Sequence, residues 1–169
     1  IFNDTLGTLN MNSQWSEARG AVNLDASLVK DNLRSTVTGH VFTRQDSLDL
    51  TANFDRLSLA WLQPLMADML NHVSGSVSSQ LTAKGKINAP EVRGWLGVNN
   101  ARIGIDYTNV TYLISDTIEI TPEKIGFDNL IVQDPNGNRA RIDAIVTHQG
   151  FNNLKYTVDA NLSNFMVLN

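Results

Sequence analysis

The sequence predicts a mainly β fold: a long antiparallel meander, curved into a U-shaped trough, with one short amphipathic helix. Three observations carry this. Apolar and polar residues alternate along most of the chain, as in Val77, Ser79, Leu81, Ala83, Gly85 against Ser78, Gln80, Thr82, Lys84, Lys86. Period-two alternation gives a sheet one apolar and one wet face. The runs are joined by short Asn, Asp, Gly and Ser clusters, too short for parallel crossovers. Helical spacing occurs once, at Leu59, Leu62, Leu65, Met66, Met69 and Leu70.

The first strands are expected near Thr5–Asn12, Gly20–Val29, Leu33–Thr43 and Ser47–Leu57. Val22, Leu24, Ala26, Leu28 alternate cleanly, as do Leu48, Leu50, Ala52, Phe54. A helix is expected over Leu59–Asn71, with Ser58 as N-cap and Pro64 acceptable only in the first turn. It reads either as a plug over the apolar face or, more commonly for such a segment, as an ordinary packing helix.

Beyond it, strands are expected at Gly75–Ile87, Val92–Val98, Arg102–Tyr107, Val110–Ser115, Thr117–Thr121, Lys124–Val132, Asn138–His148 and Lys155–Leu162. Asn99-Asn100 reads as a tight turn. Asp134-Pro135-Asn136-Gly137-Asn138 reads as a hairpin turn, because Asn-Gly readily takes positive φ. The chain thus divides into an alternating-strand segment (1–58), a helix (59–72) and a second strand segment (73–169), as one continuous domain. One short helix cannot cover about a dozen strands, so the sheet must close, fold over or leave a groove.

Composition narrows the function classes. The 169 residues are 42% apolar and 18% charged, as in an ordered domain. The net charge of −4 argues against nucleic-acid partners, which need a basic patch. No apolar run is long enough to cross a membrane as a helix. The chain begins at Ile1 and ends within the apolar run Phe165–Leu168, which reads as a piece of a longer protein. It has no cysteine, so disulfides and thiolate metal sites are excluded. Three glycosylation triplets begin at Asn3, Asn109 and Asn161, and chance explains them in an Asn-rich chain.

Catalytic and cofactor motifs are missing: no nucleophile elbow, P-loop, dinucleotide fingerprint or zinc-protease helix occurs. His40, His72 and His148 are scattered, which disfavours a metal site. The Asp134–Asn138 stretch lacks the spacing and bidentate Glu of a calcium loop. Trp15, Trp61 and Trp95 could stack on sugars, but Trp61 falls inside the expected helix and the three do not cluster in sequence, which favours structural roles. No cofactor is expected, and an enzyme is the least favoured reading.

The segment from Gly75 to Leu168 resembles the carboxy-terminal region of TamB-type proteins, within the AsmA-like group and nearest its Bacteroidetes branch. The matching pieces run in order. A Leu- and Met-rich segment precedes Gly75-x-Val77-x-x-x-Leu81-x-x-x-Gly85. Ala89-Pro90-Glu91-Val92-Arg93-Gly94-Trp95-Leu96 follows, then Tyr112-Leu113-Ile114 and Ile118-Glu119-Ile120. Ile125-Gly126-Phe127-Asp128-Asn129-Leu130 leads into the Asn-Gly hairpin, and Thr147-His148-Gln149-Gly150-Phe151 into the final strand and Asn164–Asn169. Asp143-Ala144 departs from the pattern, which tends to place glycine after that hairpin. The first 58 residues match only as generic alternating strands.

The resemblance implies a periplasmic module of an inner-membrane-anchored protein. Such proteins work with an outer-membrane barrel of the Omp85 type in surface-protein assembly and look like bridge-type lipid carriers. The residues expected to line the groove for phospholipid acyl chains are Val77, Leu81, Ile87, Leu96, Val98, Ile103, Ile105, Ile118, Ile120, Phe127, Ile142, Val146 and Val158. Two other readings stay open: a scaffold for β-rich clients without lipid passage, and a glycan-binding β-sandwich with a closed core.

Overall fold

The structure is a computed structural model that describes residues 7–65, 69–149 and 152–169. Ten strands form one antiparallel meander in strict chain order. They are β1 (Thr8–Ser16), β2 (Ala21–Lys30), β3 (Leu33–Phe42), β4 (Ser47–Ser58), β5 (Leu70–Lys86), β6 (Ala89–Ile105), β7 (Val110–Ile120), β8 (Lys124–Gln133), β9 (Arg139–Gln149) and β10 (Asn152–Asn161). The sheet is not closed: β1 and β10 are edges.

Pairing registers carry the apolar alternation from strand to strand. Leu24 faces Gly39, Gly39 faces Leu50, Leu50 faces Ala83 and Ala83 faces Val92. Beyond β6, Leu96 faces Ile118, Ile120 faces Ile125, Ile125 faces Val146 and Val146 faces Tyr156. Directly opposed residues point to the same side of a sheet, so one largely apolar face runs across the molecule, with Asp116 opposite Val98 and Ser79 between Phe54 and Leu96 as polar members. The reverse face carries Asp49, Lys84, Glu91, Arg93 and the threonines between them. Its Asp49–Lys84 ion pair spans 3.1 Å at the exposed surface, where such pairs contribute little.

Two expected breaks are continuous strand. The strands expected at Val92–Val98 and Arg102–Tyr107 merge into one, β6, which ends at Ile105, and those at Val110–Ser115 and Thr117–Thr121 into β7, which ends at Ile120. The expected turn at Asn99-Asn100 is a β-bulge, at which the register against β7 shifts between Val98 and Ala101. Asn100 takes φ 48°, the left-handed conformation that Asn tolerates. A tight turn needs that same conformation, which is why the dipeptide reads as either.

Matching bulges lie in β4 between Phe54 and Leu57 and in β8 between Phe127 and Leu130. Arg56 (φ 45°) and Asn129 (φ 56°) are their left-handed residues. Each bulge amide finds an acceptor on a neighbouring strand. Asp55 N donates to Ser35 Oγ at 3.2 Å and Arg56 N to Ser78 Oγ at 3.3 Å. Asn100 N donates to Ser115 Oγ at 2.8 Å, and Asn129 N to Asp143 Oδ1 at 2.6 Å. Gly75 (φ 100°) makes room beside the β6 bulge, because a Cβ there would overlap Ala101 and the Asn100 carbonyl. Asp143 therefore supplies a bulge acceptor.

Through the pairing registers the three bulges form one line across alternate strands. Bulges increase local twist and bend the strand. Cα atoms of β4 and β6 come within 8 Å of each other across β5, whereas two strand spacings in a flat sheet are about 9–10 Å. Phe54 and Leu57 of β4 pack in one cluster with Leu96 and Val98 of β6 and Ile114 of β7. The apolar face is therefore the inside of the bend, and the sheet is a trough.

The expected helix over Leu59–Asn71 is a 3₁₀ helix over Leu59–Leu65. Ser58 Oγ accepts from Ala60 N at 3.3 Å, so the expected N-cap is formed. Pro64 lies inside the helix, where it has no N–H to give and restricts Gln63. Leu70 already belongs to β5, opposite Ile105, so sheet pairing overrides helical spacing there. Part of that expectation, Met66–Asp68, lies outside the described residues, as does the start of the strand expected at Thr5–Asn12.

Candidate functional site

The candidate site is the inside of the trough. Twelve of the thirteen expected lining residues lie on the apolar face through the registers given above. The pairs Val77–Val98, Leu81–Gly94 and Leu96–Ile118 place the central ones. Ile103 pairs with Val73 and Tyr112, Ile105 with Leu70 and Val110, and Ile120 with Ile125. Phe127 pairs with Ala144, Ala144 with Val158, Leu130 with Ile142, and Val146 with Tyr156. Ile87 is the exception. It lies in the β5–β6 turn, 43% exposed, with its amide bonded to the Asp46 carbonyl at 3.0 Å.

The two ends of the trough differ. At the end beyond the bulges the apolar face is covered. Leu59 of the 3₁₀ helix packs with buried Val73, Val77 and Ala101. Next to this cluster, Val110, Tyr112, Leu130, Val132 and Ala140 form a second one, covered by Phe165 and Met166. These last two belong to a strap, residues 162–169, that follows β10 and crosses back over β7 and β8.

Sequence reading missed the strap. Met166 N donates to Asp134 Oδ2 at 2.9 Å, and Tyr112 donates its hydroxyl to the Met166 carbonyl at 3.1 Å. Tyr112 stacks on Phe165, with centroids 5.5 Å apart and planes 6° from parallel. Asn169 N reaches the Thr108 carbonyl at 3.0 Å. Asp134 is buried at 4% exposure, and its Oδ1 accepts from Asn136 N and Asn138 N, both at 2.9 Å. Burial alone would raise its pKa. Hydrogen bonds from the Asn138 side chain and from the Met166, Asn138 and Asn136 amides outweigh this and hold it below the ordinary 3.8.

At the other end the apolar face meets solvent. Val22, Leu24, Val41, Leu48, Leu50, Val92 and Ile120 are only half-buried there. Toward the edges the exposed side chains are larger: Leu9, Met11 and Trp15 on β1, and Tyr156 (80%) and Val158 (60%) on β10. Gly39 (φ 142°) and Gly94 (φ 137°) lie in this open part. A Cβ on either would strike a neighbouring carbonyl oxygen, of Asp49 and Gln80 respectively.

Ionisable groups do not converge on the trough. Among the described residues no three His, Asp or Glu side chains are placed to hold a metal ion. Trp15 and Trp95 are on opposite faces, because Trp15 opposes Val22 and Trp95 opposes Gln80. A single aromatic patch is therefore not formed by these two. No family model, no curated protein and no solved structure matches the chain.

Proposed function

We propose that this chain is a non-enzymatic cell-envelope module of the TamB/AsmA-like kind. Its trough would take acyl chains of phospholipids passing between the inner and outer membranes, and the module would support assembly of outer-membrane and surface proteins. In this reading the full-length protein is anchored in the inner membrane, the module works in the periplasm, and an Omp85-type barrel is the partner.

The observation that carries the reading is the largely apolar face of an open, bent sheet, left uncovered at one end. An acyl chain needs no directional contacts there, and each CH₂ leaving water contributes roughly 0.8 kcal/mol. A half-buried lining of Val, Leu, Ile and Ala suits chains of varying length and unsaturation. The scaffold reading draws on a different feature. β1 is an edge strand of nine residues without charge or proline, and such an edge pairs readily with an added strand.

Native mass spectrometry of the purified protein, with extraction of whatever is bound, tests the choice. Phospholipid is expected on the wild type and lost on Leu81→Asp and Leu50→Asp, both in the open part. Ile105 serves less well as a probe, because it packs against the second core cluster and a charge there would also unfold. Undiminished lipid on both Asp variants would sink the conduit. Loss of function only on blocking the β1 edge would favour the scaffold.

A further inference from the structure

The strap is held in a way that ordinary core packing does not require. Both backbone polar groups of one residue, Met166, are gripped by side chains: the N–H by Asp134 and the carbonyl by Tyr112. Strand pairing would satisfy such groups with backbone. Here two side chains take that role on an apolar face, where an unpaired amide would be costly.

We propose that Asp134 and Tyr112 form a peptide clamp. It takes an extended segment with an aromatic residue followed by an aliphatic one, and the chain's own Phe165-Met166 fills it in cis. The division of labour is legible in the contacts. At the second residue the hydrogen bonds go only to backbone and read chain direction and extension, while its aliphatic side chain packs on the second core cluster. Selectivity comes from the first residue, whose ring must lie flat on Tyr112. Three of Asp134's acceptor contacts come from its own turn, through Asn136 N, Asn138 N and Asn138 Nδ2. The carboxylate is thereby oriented before any segment arrives, and pre-organisation lowers the cost of binding. The inference is independent of the lipid reading, since the clamp recognises backbone.

The test uses a fluorescent peptide carrying residues 162–169 and the full chain with Phe165→Ala and Met166→Pro, which removes the ring and the bonded N–H and so empties the clamp. Fluorescence anisotropy is expected to show saturable binding to the emptied protein and none to the wild type. Adding Tyr112→Phe removes one hydrogen bond and keeps the ring, so affinity should fall about tenfold. Replacing Phe by Ala in the peptide should weaken it at least as much. Absence of binding to a folded emptied protein, or affinity unchanged by Tyr112→Phe, overturns the clamp. If circular dichroism shows the emptied protein unfolded, hydrogen exchange on the otherwise intact chain decides. Tyr112→Phe should speed exchange at the Met166 amide and leave Val73 and Ala101 protected. Equal protection at Met166 in both proteins overturns it.

Discussion

The covered and open ends of this trough are built from the same strands and the same kinds of side chain. Val73 and Val77 are buried; Leu81 and Ala83, farther along the same strand and face, are half-open. What separates them is the line of bulges and what lies beyond it. There the 3₁₀ helix and the strap add a second layer, and only there does the apolar face become a core. A domain needs two packed layers to bury a sheet. This molecule supplies the second layer over part of one face, which divides the labour between stability at one end and accessible apolar surface at the other.

The sharpest way to break this comparison is to delete the same methylenes at both ends. Leu130→Ala should lower the unfolding free energy by about 2–4 kcal/mol, because the cavity is enclosed. Leu24→Ala, on the open face, should cost less than about 1 kcal/mol. Urea unfolding reads both, and equal losses would show that the open end is packed in solution. A smaller effect is expected from Gly94→Ala. It forces a Cβ against the Gln80 carbonyl at positive φ, for roughly 1–3 kcal/mol. The open end would then prove sensitive to backbone geometry while tolerant of side-chain truncation; a thermal midpoint matching wild type would contradict this.

The smallest effect is local and acid-dependent. Asp134 has a folded pKa below its unfolded 3.8, so the folded state binds the proton less readily. Its stabilising contribution is complete above the unfolded value and is lost as pH falls from there through the folded value. On acidification below about pH 4 the Met166 amide should lose exchange protection before Val110 and Val132 do. Simultaneous loss at all three would mean that strap and sheet open as one unit.

Much of the trough was legible in the chain because alternation is local and the apolar face continuous. Leu81, Val98, Ile118 and Val146 fall on the expected side because each obeys period two within its own strand. Ile87 misled because the period runs on past Gly85 while the backbone has already turned. The bulges were hidden for a related reason: Asn99-Asn100 favours left-handed geometry, which a turn and a bulge share, and only the register of β7 distinguishes them. The strap was not legible at all. Its holding contact joins Asp134 to Met166 across 32 positions, and nothing local to the apolar run Phe165–Leu168 shows what it would cover.

The bulges also change what a one-residue deletion does. In a regular strand, removing a residue exchanges inside and outside for everything beyond it. In β6 the inward series is Gly94, Leu96, Val98, then Ala101, Ile103, Ile105, with one extra residue between. Removing Asn100 would leave every later side chain facing as before. The same holds for Arg56 and Asn129. These three positions act as phase joints, where the chain can lose a residue and keep its inside and outside, changing curvature alone. Length variation among chains of this design should therefore concentrate along that diagonal, inside strands, where insertions and deletions are otherwise least tolerated.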